Sequence, residues 1–216
     1  MKHHADEINK LSRELGLFSN YEINVSDKVD VSPLDITCSS IYLGDNLIYL
    51  HELSRKSPET IDFCYIDPPY NTGNKIIYHD NRKSVSSDVF GIHNEWMSFL
   101  LPRLFYAQKM LKDTGVIAIS IDDYEFAHLK ILMDKIFGED NFIGNIVVCR
   151  SKNGKGSKRN IASSHEYLLV YGKSDQAELF GQPDDKSLYD RIDRYGEYRI
   201  DGLFRKKGDS SLRTER

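Results

Sequence analysis

The sequence lacks the features that mark membrane and secreted proteins. No apolar run approaches the length of about eighteen residues that suggests a membrane span, and the N-terminal segment MKHHADEINKLSRELG has no apolar core of a secretory signal. The three cysteines, Cys38, Cys64 and Cys149, are widely spaced and form no CxxC pair. The sequence therefore predicts reduced thiols in a cytoplasmic protein rather than a disulfide framework or a cysteine-zinc site.

The net charge is small but unevenly divided along the chain. The 216 residues carry a formal net charge of −4. Residues 150–216 hold 15 Lys and Arg against 11 Asp and Glu, whereas residues 1–149 hold 14 against 22. A positive C-terminal third suits contact with nucleic-acid phosphates. The length allows one sizeable α/β domain with a conventional core.

Apolar periodicity predicts helices that alternate with strands. Short β-branched and aromatic runs that stop at polar residues indicate buried strands, and the polar stretch 72–91 indicates a mobile loop. This alternation is typical of a doubly wound parallel sheet, where ligands bind beyond the carboxyl ends of the strands. Helices are predicted around residues 8–15, 47–53, 95–111 and 126–136, and strands at 61–66, 116–121, 146–149 and 167–171.

Two acidic segments follow the predicted strands. Asp122-Asp123 ends the second strand, and we favour a helix N-cap with a first-turn acid over a metal-binding pair. We therefore predict no metal site. Asp67-Pro68-Pro69-Tyr70 ends the first strand and precedes Asn71, a position that a simple Pro-Pro turn does not explain.

The tetrapeptide suits methylation of an exocyclic amino group on a base. That nitrogen is a poor nucleophile because its lone pair is delocalised, and the base must leave the duplex to be reached. Asp67 and the Pro68 carbonyl can accept the two amino hydrogens, and consecutive prolines hold this backbone extended. Tyr70 can stack on the base, a contact worth roughly 1–3 kcal/mol. A carbonyl-bearing base would leave both acceptors unpaired.

Over residues 40–216 the sequence resembles the β-class amino-methyltransferases, in particular the modification subunits of type III restriction–modification systems. The similarity implies a Rossmann-like fold, S-adenosylmethionine as methyl donor, and Asp67, Pro68, Pro69 and Tyr70 as the catalytic loop. It is carried by GDNLIYL (44–50), IDFCYIDPPYNTGN (61–74), EWMSFLLPRLFYAQKMLKDTG (95–115), VIAISIDDYEFAHLKILMDKIFGEDNFIGNIV (116–147), HEYLLVYGK (165–173) and FRKKGDSSLRTER (204–216).

The resemblance also implies the domains and the cofactor contacts. We predict an N-terminal extension (1–35), a catalytic core (36–175) and the start of a target-recognition region (176–216). Asp45, Asn46 and Asp67 are the predicted cofactor contacts, although a helix N-cap equally explains the pair Asp45-Asn46. The glycine-rich donor loop of this family has no counterpart here, so we expect a fragment or a truncated gene product with weak or no donor binding by itself.

A basic segment is the predicted DNA contact. Residues 150–160 contain no acid and two glycines and do not match a P-loop, so they indicate either a flexible loop on DNA phosphates or a solvated surface loop. A second basic patch lies at residues 205–213 with the same two interpretations, and Trp96 is most simply core. The predicted DNA-binding residues are Arg150, Lys152, Lys155, Lys158 and Arg159.

The expected function is therefore N6 methylation of adenine in double-stranded DNA, within a restriction–modification system. Cytosine-N4 methylation needs the same chemistry, and only the type III-like flanks favour adenine. A catalytically silent DNA-binding or subunit-interaction remnant is the alternative from another class. The resemblance also implies a pairing of modification subunits and an association with a restriction subunit.

Overall fold

The computed structural model describes residues 2–17, 29–35, 37–71, 90–150, 164–181, 191–194 and 196–198. The chain divides into two compact units, residues 1–178 and residues 179–216. None of the described helices combines the length and the apolar character needed to cross a membrane. The elements are α1 (Lys2–Glu14), α2 (Asn46–Lys56), β1 (Ile61–Ile66), α3 (Asn94–Met110), β2 (Leu111–Ile121), α4 (Phe126–Phe137), β3 (Phe142–Cys149), β4 (His165–Gly172), β5 (Arg191–Asp193) and β6 (Gly196–Tyr198).

The first unit contains a four-stranded sheet in the order β1-β2-β4-β3. β1 and β2 are parallel, whereas β4 runs antiparallel to both β2 and β3. The predicted α/β class is confirmed, but the sheet is mixed: the expected parallel arrangement holds for β1 and β2 and fails for β3 and β4. The reason is that β3 and β4 follow each other without a helix between them among the described residues, so they return antiparallel. The second unit contains the antiparallel pair β5 and β6.

The main core lies between one face of the sheet and the helices. Leu101 of α3, Ile117 and Ile119 of β2, and Leu129 of α4 are all completely buried there. Burial of each such side chain stabilises the fold by about 1.5–3 kcal/mol. Helix α1 adds Ile8 to the same core, while the predicted domain boundaries at residues 35 and 175 stay predictions.

β1 has a less protected environment than β2. Cys64 and Ile66 pack toward the core, but Phe63 and Tyr65 on the opposite face are each 57% exposed. The prediction of a buried strand is therefore right for residues 116–121 of β2 and wrong for one face of β1. In the part of the chain that the structure describes, β1 also forms the edge of the sheet.

β2 begins earlier than its apolar run predicts. The polar residues 113–115 were expected to separate a helix from the strand, but they continue the strand through a shift in register between Ile61 and Phe63. A Cβ atom on Gly115 would lie 2.9 Å from the Lys112 carbonyl oxygen and 3.1 Å from that of Ile61. This close approach of two backbones requires glycine.

Candidate active site

The tetrapeptide Asp67–Tyr70 leaves the carboxyl end of β1, as predicted. Asp67 is exposed, while Pro68 is buried. Trp96 of α3 donates a hydrogen bond from its indole Nε1 to the Pro69 carbonyl oxygen at 2.6 Å. Trp96 is therefore a core residue, 4% exposed, that also fixes the backbone of this loop.

Tyr70 is half-buried and lies between two carboxylates. Its hydroxyl is 3.5 Å from Glu166 Oε2 on β4. Burial raises the pKa of the Tyr70 phenol, and the neighbouring Asp67 raises it further. The ring is consequently a neutral aromatic surface at any physiological pH.

A cavity of about 470 Å³ opens beside the tetrapeptide. This volume lies in the range of about 300–1,000 Å³ that is typical of small-molecule sites. Asn46, Asp67 and Arg103 contribute polar groups to its lining, and most of the other lining residues are apolar. The remaining lining residues are Leu50, Cys64, Tyr65, Ile66, Pro68, Pro69, Phe99, Leu100, Leu104 and Ala107.

Arg103 of α3 organises the predicted cofactor residues. Its Nη2 donates to Asp45 Oδ1 at 3.0 Å, and its Nε donates to Asn46 Oδ1 at 2.9 Å. Its guanidinium also stacks on the Phe99 ring, 3.7 Å from the centroid. Asp45 in addition caps α2 by accepting from the Leu47 backbone N–H at 2.9 Å, so the N-cap interpretation is confirmed.

Sequence reasoning missed Arg103, although a signal was present. It stands in the apolar stretch LLPRLF, and its side chain is only 10% exposed. A charged residue that α3 buries needs partners, and the pair Asp45-Asn46 provides them.

The second acidic segment follows β2 at the same edge of the sheet. Asp122 Oδ1 accepts from the backbone N–H groups of Tyr124 at 3.0 Å and Glu125 at 3.4 Å. It thus caps the turn before α4, whereas the N-cap residue of the helix is Glu125. Asp123 accepts from the Tyr167 hydroxyl at 2.7 Å instead of serving as a first-turn acid.

Glu125 is completely buried and lies at the centre of a polar cluster. Asn71 Nδ2 donates to its Oε1 at 2.5 Å, and His93 Nδ1 lies 2.7 Å from the same oxygen. Burial raises the pKa of the Glu125 carboxyl, against the opposing effects of Asn71 and His93. Asn71 itself has a φ of +51°, a left-handed conformation that asparagine tolerates better than most residues.

The predicted DNA contacts are described only at Arg150. Its backbone N–H donates to the Ser164 carbonyl at 2.8 Å, and its Nε lies 3.2 Å from Glu166 Oε2. Glu166 therefore lies next to both Arg150 and Tyr70. Residues Lys152, Lys155, Lys158, Arg159, Arg205, Lys206, Lys207 and Arg213 lie outside the described residues.

Comparisons with known proteins agree on one family. The DNA methylase family profile matches residues 61–207. A type II methyltransferase from Klebsiella pneumoniae, M.KpnI, is 84% identical over the whole chain, which covers 52% of that protein. The StyLTI Mod subunit of a type III restriction–modification enzyme from Salmonella typhimurium is 42% identical over 65% of this chain and 24% of its own length. The corresponding EcoPI Mod subunit of Escherichia phage P1 is 33% identical over 80% and 31%.

The chain thus spans about half the length of the Klebsiella relative and a smaller share of the two Mod subunits. The family profile covers the tetrapeptide loop, α3 and its arginine, and both strands that end in acidic residues. The chain belongs to the DNA methylase family.

Proposed function

We propose that this chain carries the catalytic loop of a DNA methyltransferase that transfers a methyl group from S-adenosylmethionine to the N6 amino group of adenine, within a restriction–modification system. The observation that carries the proposal is the Asp67–Tyr70 loop, fixed by Trp96 at the rim of a cavity that also contains Asn46 and Arg103.

The loop offers two hydrogen-bond acceptors and one aromatic ring. The exposed Asp67 carboxylate can accept one amino hydrogen of an extruded base. The Pro68 carbonyl accepts no hydrogen bond from the residues that the structure describes, so it is free to accept the second. Hydrogen bonds from both amino hydrogens to these acceptors increase the electron density on the nitrogen. Tyr70 holds the base by stacking.

The donor set of the cavity fits the cofactor. S-adenosylmethionine supplies an electrophilic methyl group when it is bound. The Asn46 amide and the Asp67 carboxylate can bind its polar groups, and the Phe99 ring and Leu50 give an apolar wall for its adenine. Arg103 keeps Asp45 and Asn46 in fixed orientations, so these two residues are positioned before any ligand arrives.

Adenine is favoured over cytosine by the relatives rather than by the loop. Two of the relatives are named as Mod subunits of type III enzymes, and the tetrapeptide chemistry suits either amino group. Double-stranded DNA is the proposed substrate, with Arg150, Lys152, Lys155, Lys158 and Arg159 on its phosphates. A second copy of the chain and a restriction subunit are the proposed protein partners.

A chimaeric protein tests this function. This chain would replace the segment of the Klebsiella methyltransferase with which it aligns. Because the two segments are 84% identical, the chain should pack against the rest of that protein as the original segment does. DNA treated with the chimaera and S-adenosylmethionine is then digested to nucleosides and analysed by mass spectrometry. We expect N6-methyladenine. N4-methylcytosine would reject the choice of base, and a folded chimaera that binds the cofactor but leaves DNA unmodified would reject the enzyme.

A further inference from the structure

Two histidines and one glutamate converge beside the end of the tetrapeptide loop. His93 lies just before α3, and Glu125 and His128 lie at the start of α4. His93 Nδ1 is 2.7 Å from Glu125 Oε1, and His128 Nδ1 is 3.1 Å from Glu125 Oε2. The three donor atoms all lie within 4.8 Å of one another.

Two atoms of this cluster have unused hydrogen-bonding capacity. Glu125 Oε2 and His128 Nδ1 are both buried and form no hydrogen bond with the described residues, even though they are 3.1 Å apart. Two ligands of one cation also lie close together without a hydrogen bond between them, since each directs its lone pair at the ion. A buried carboxylate oxygen without a partner is costly unless such a cation is bound.

We propose that His93, Glu125 and His128 form a binding site for a divalent transition-metal ion, with zinc as the best fit. Two imidazole nitrogens and one carboxylate oxygen are a common ligand set for zinc with an open fourth position. In a tetrahedral site with bonds of about 2.0–2.1 Å, neighbouring ligand atoms are about 3.3 Å apart. The two measured distances join the imidazoles to different oxygens of Glu125, 2.7 Å to Oε1 and 3.1 Å to Oε2, so side-chain rotation is needed to bring the three ligand atoms to this spacing.

The surroundings of the cluster also resemble those of a metal site. Asn71 donates from Nδ2 to Glu125 Oε1 at 2.5 Å, which is the kind of outer contact that orients a ligating carboxylate. The two imidazole rings stack at 3.7 Å between centroids with their planes 15° apart, so one ring has to rotate before both Nδ1 lone pairs, which lie in the ring planes, can reach one ion.

The proposed metal has a structural consequence for the tetrapeptide loop. Asn71 directly follows Tyr70 and is tied to Glu125, so an ion that fixes Glu125 also fixes the end of this loop. The role we assign to the metal is therefore to stabilise the loop; the metal contacts neither the base nor the methyl donor.

Metal titration of the chain tests this site. The protein is stripped with a chelator, and zinc is added in competition with a chromophoric chelator. We expect one zinc ion per chain with micromolar or tighter affinity. His93→Gln and His128→Gln should each weaken binding by more than the roughly 10–100-fold that the loss of an outer-sphere contact costs. His165→Gln is the matched control, because His165 is also a half-buried histidine beside a carboxylate, Asp123, at 3.5 Å.

A second measurement needs no variant and so remains valid if a variant misfolds. Zinc should protect His93 and His128 of the unaltered chain from diethyl pyrocarbonate, while His165 reacts equally with and without zinc. Cobalt in place of zinc should give the intense visible absorption of a four-coordinate site. The proposal is overturned if zinc binds no more tightly than to the double variant His93→Gln/His128→Gln, or if zinc protects neither histidine.

Discussion

The loops after β1 and β2 start alike and end in different environments. Both leave the carboxyl ends of neighbouring parallel strands, and both begin with an acidic residue. Asp67 of the first loop is exposed at a cavity, whereas Glu125 of the second is completely buried among polar partners. The difference indicates that the first loop is built to contact ligands and the second to maintain structure.

The two loops also meet. Asn71, directly after the tetrapeptide, donates to Glu125 at 2.5 Å, so the second loop holds the end of the first. A change in the second loop should therefore reduce stability first and affect methylation indirectly, while a change at Asp67 should affect methylation alone.

Asp67→Ala has the largest expected effect. In the chimaera with the Klebsiella relative, we expect it to lower the methylation rate by at least about 100-fold, as the loss of one preorganised polar group does in other active sites. Because Asp67 is exposed, the melting temperature should stay the same. The control is Asp62→Ala, which removes an exposed carboxylate on the preceding strand, β1, that pairs with Lys112 at 2.6 Å. Equal methylation rates for the two variants would contradict the role of the first loop in contacting ligands.

The thiol of Cys64 probes the environment of β1 below the cavity. Burial raises the pKa of this thiol to about 11, so it should alkylate on the order of 100-fold more slowly than an unperturbed thiol at neutral pH, because only the thiolate reacts. A raised pKa means that the rate climbs with pH until about 11. Mass spectrometry of iodoacetamide-treated protein separates Cys64 from the exposed Cys38 and Cys149. Comparable labelling of all three at neutral pH would refute the burial of Cys64.

Glu125→Ala tests the second loop. We expect it to reduce the free energy of unfolding by about 1–3 kcal/mol, because Asn71 and His93 each lose a buried partner. Urea denaturation followed by circular dichroism measures this change. A full loss of methylation with unchanged stability would instead assign Glu125 to the chemistry.

Asp122→Ala has a smaller expected effect than Glu125→Ala. It removes the acceptor for two backbone N–H groups in the turn before α4, a loss worth about 1 kcal/mol of stability by analogy with helix caps. The neighbouring variant Asp123→Ala should cost less, since Asp123 is exposed and pairs with the Tyr167 hydroxyl at the surface. Urea denaturation of both variants compares their losses of stability. A larger loss for Asp123→Ala than for Asp122→Ala would count against the capping role of Asp122.

The sequence identified the parts of the fold that local pattern controls. The strand at 61–66, the long apolar helix and the acidic strand ends were predictable because period and composition decide them. The exposed faces of Phe63 and Tyr65 were not, since a strand with aromatic residues at every second position looks buried whether or not anything covers it. The antiparallel return of β4 depends on pairing between distant segments, which no local pattern reports.

The candidate site divides in the same way. Asp67–Tyr70 could be predicted as a site because four adjacent residues carry the signal. Arg103 and the cluster of His93, Glu125 and His128 were missed because Arg103 is 57 residues from Asn46 and His93 is 32 residues from Glu125 along the chain. Even the spacing of Glu125 and His128, one helical turn, is too common on helices to indicate a site without the third ligand.

The most direct test of the central claim is a comparison of Tyr70→Ala with Tyr70→Phe in the chimaera. Phenylalanine keeps the stacking face and removes only the hydroxyl, which lies 3.5 Å from its partner. We predict that Tyr70→Phe retains most of the methylation rate, while Tyr70→Ala loses roughly 5- to 160-fold, the equivalent of 1–3 kcal/mol of stacking, with S-adenosylmethionine binding unchanged by calorimetry. Equal methylation rates for the unaltered chimaera and Tyr70→Ala would contradict the assignment of this loop as the active site.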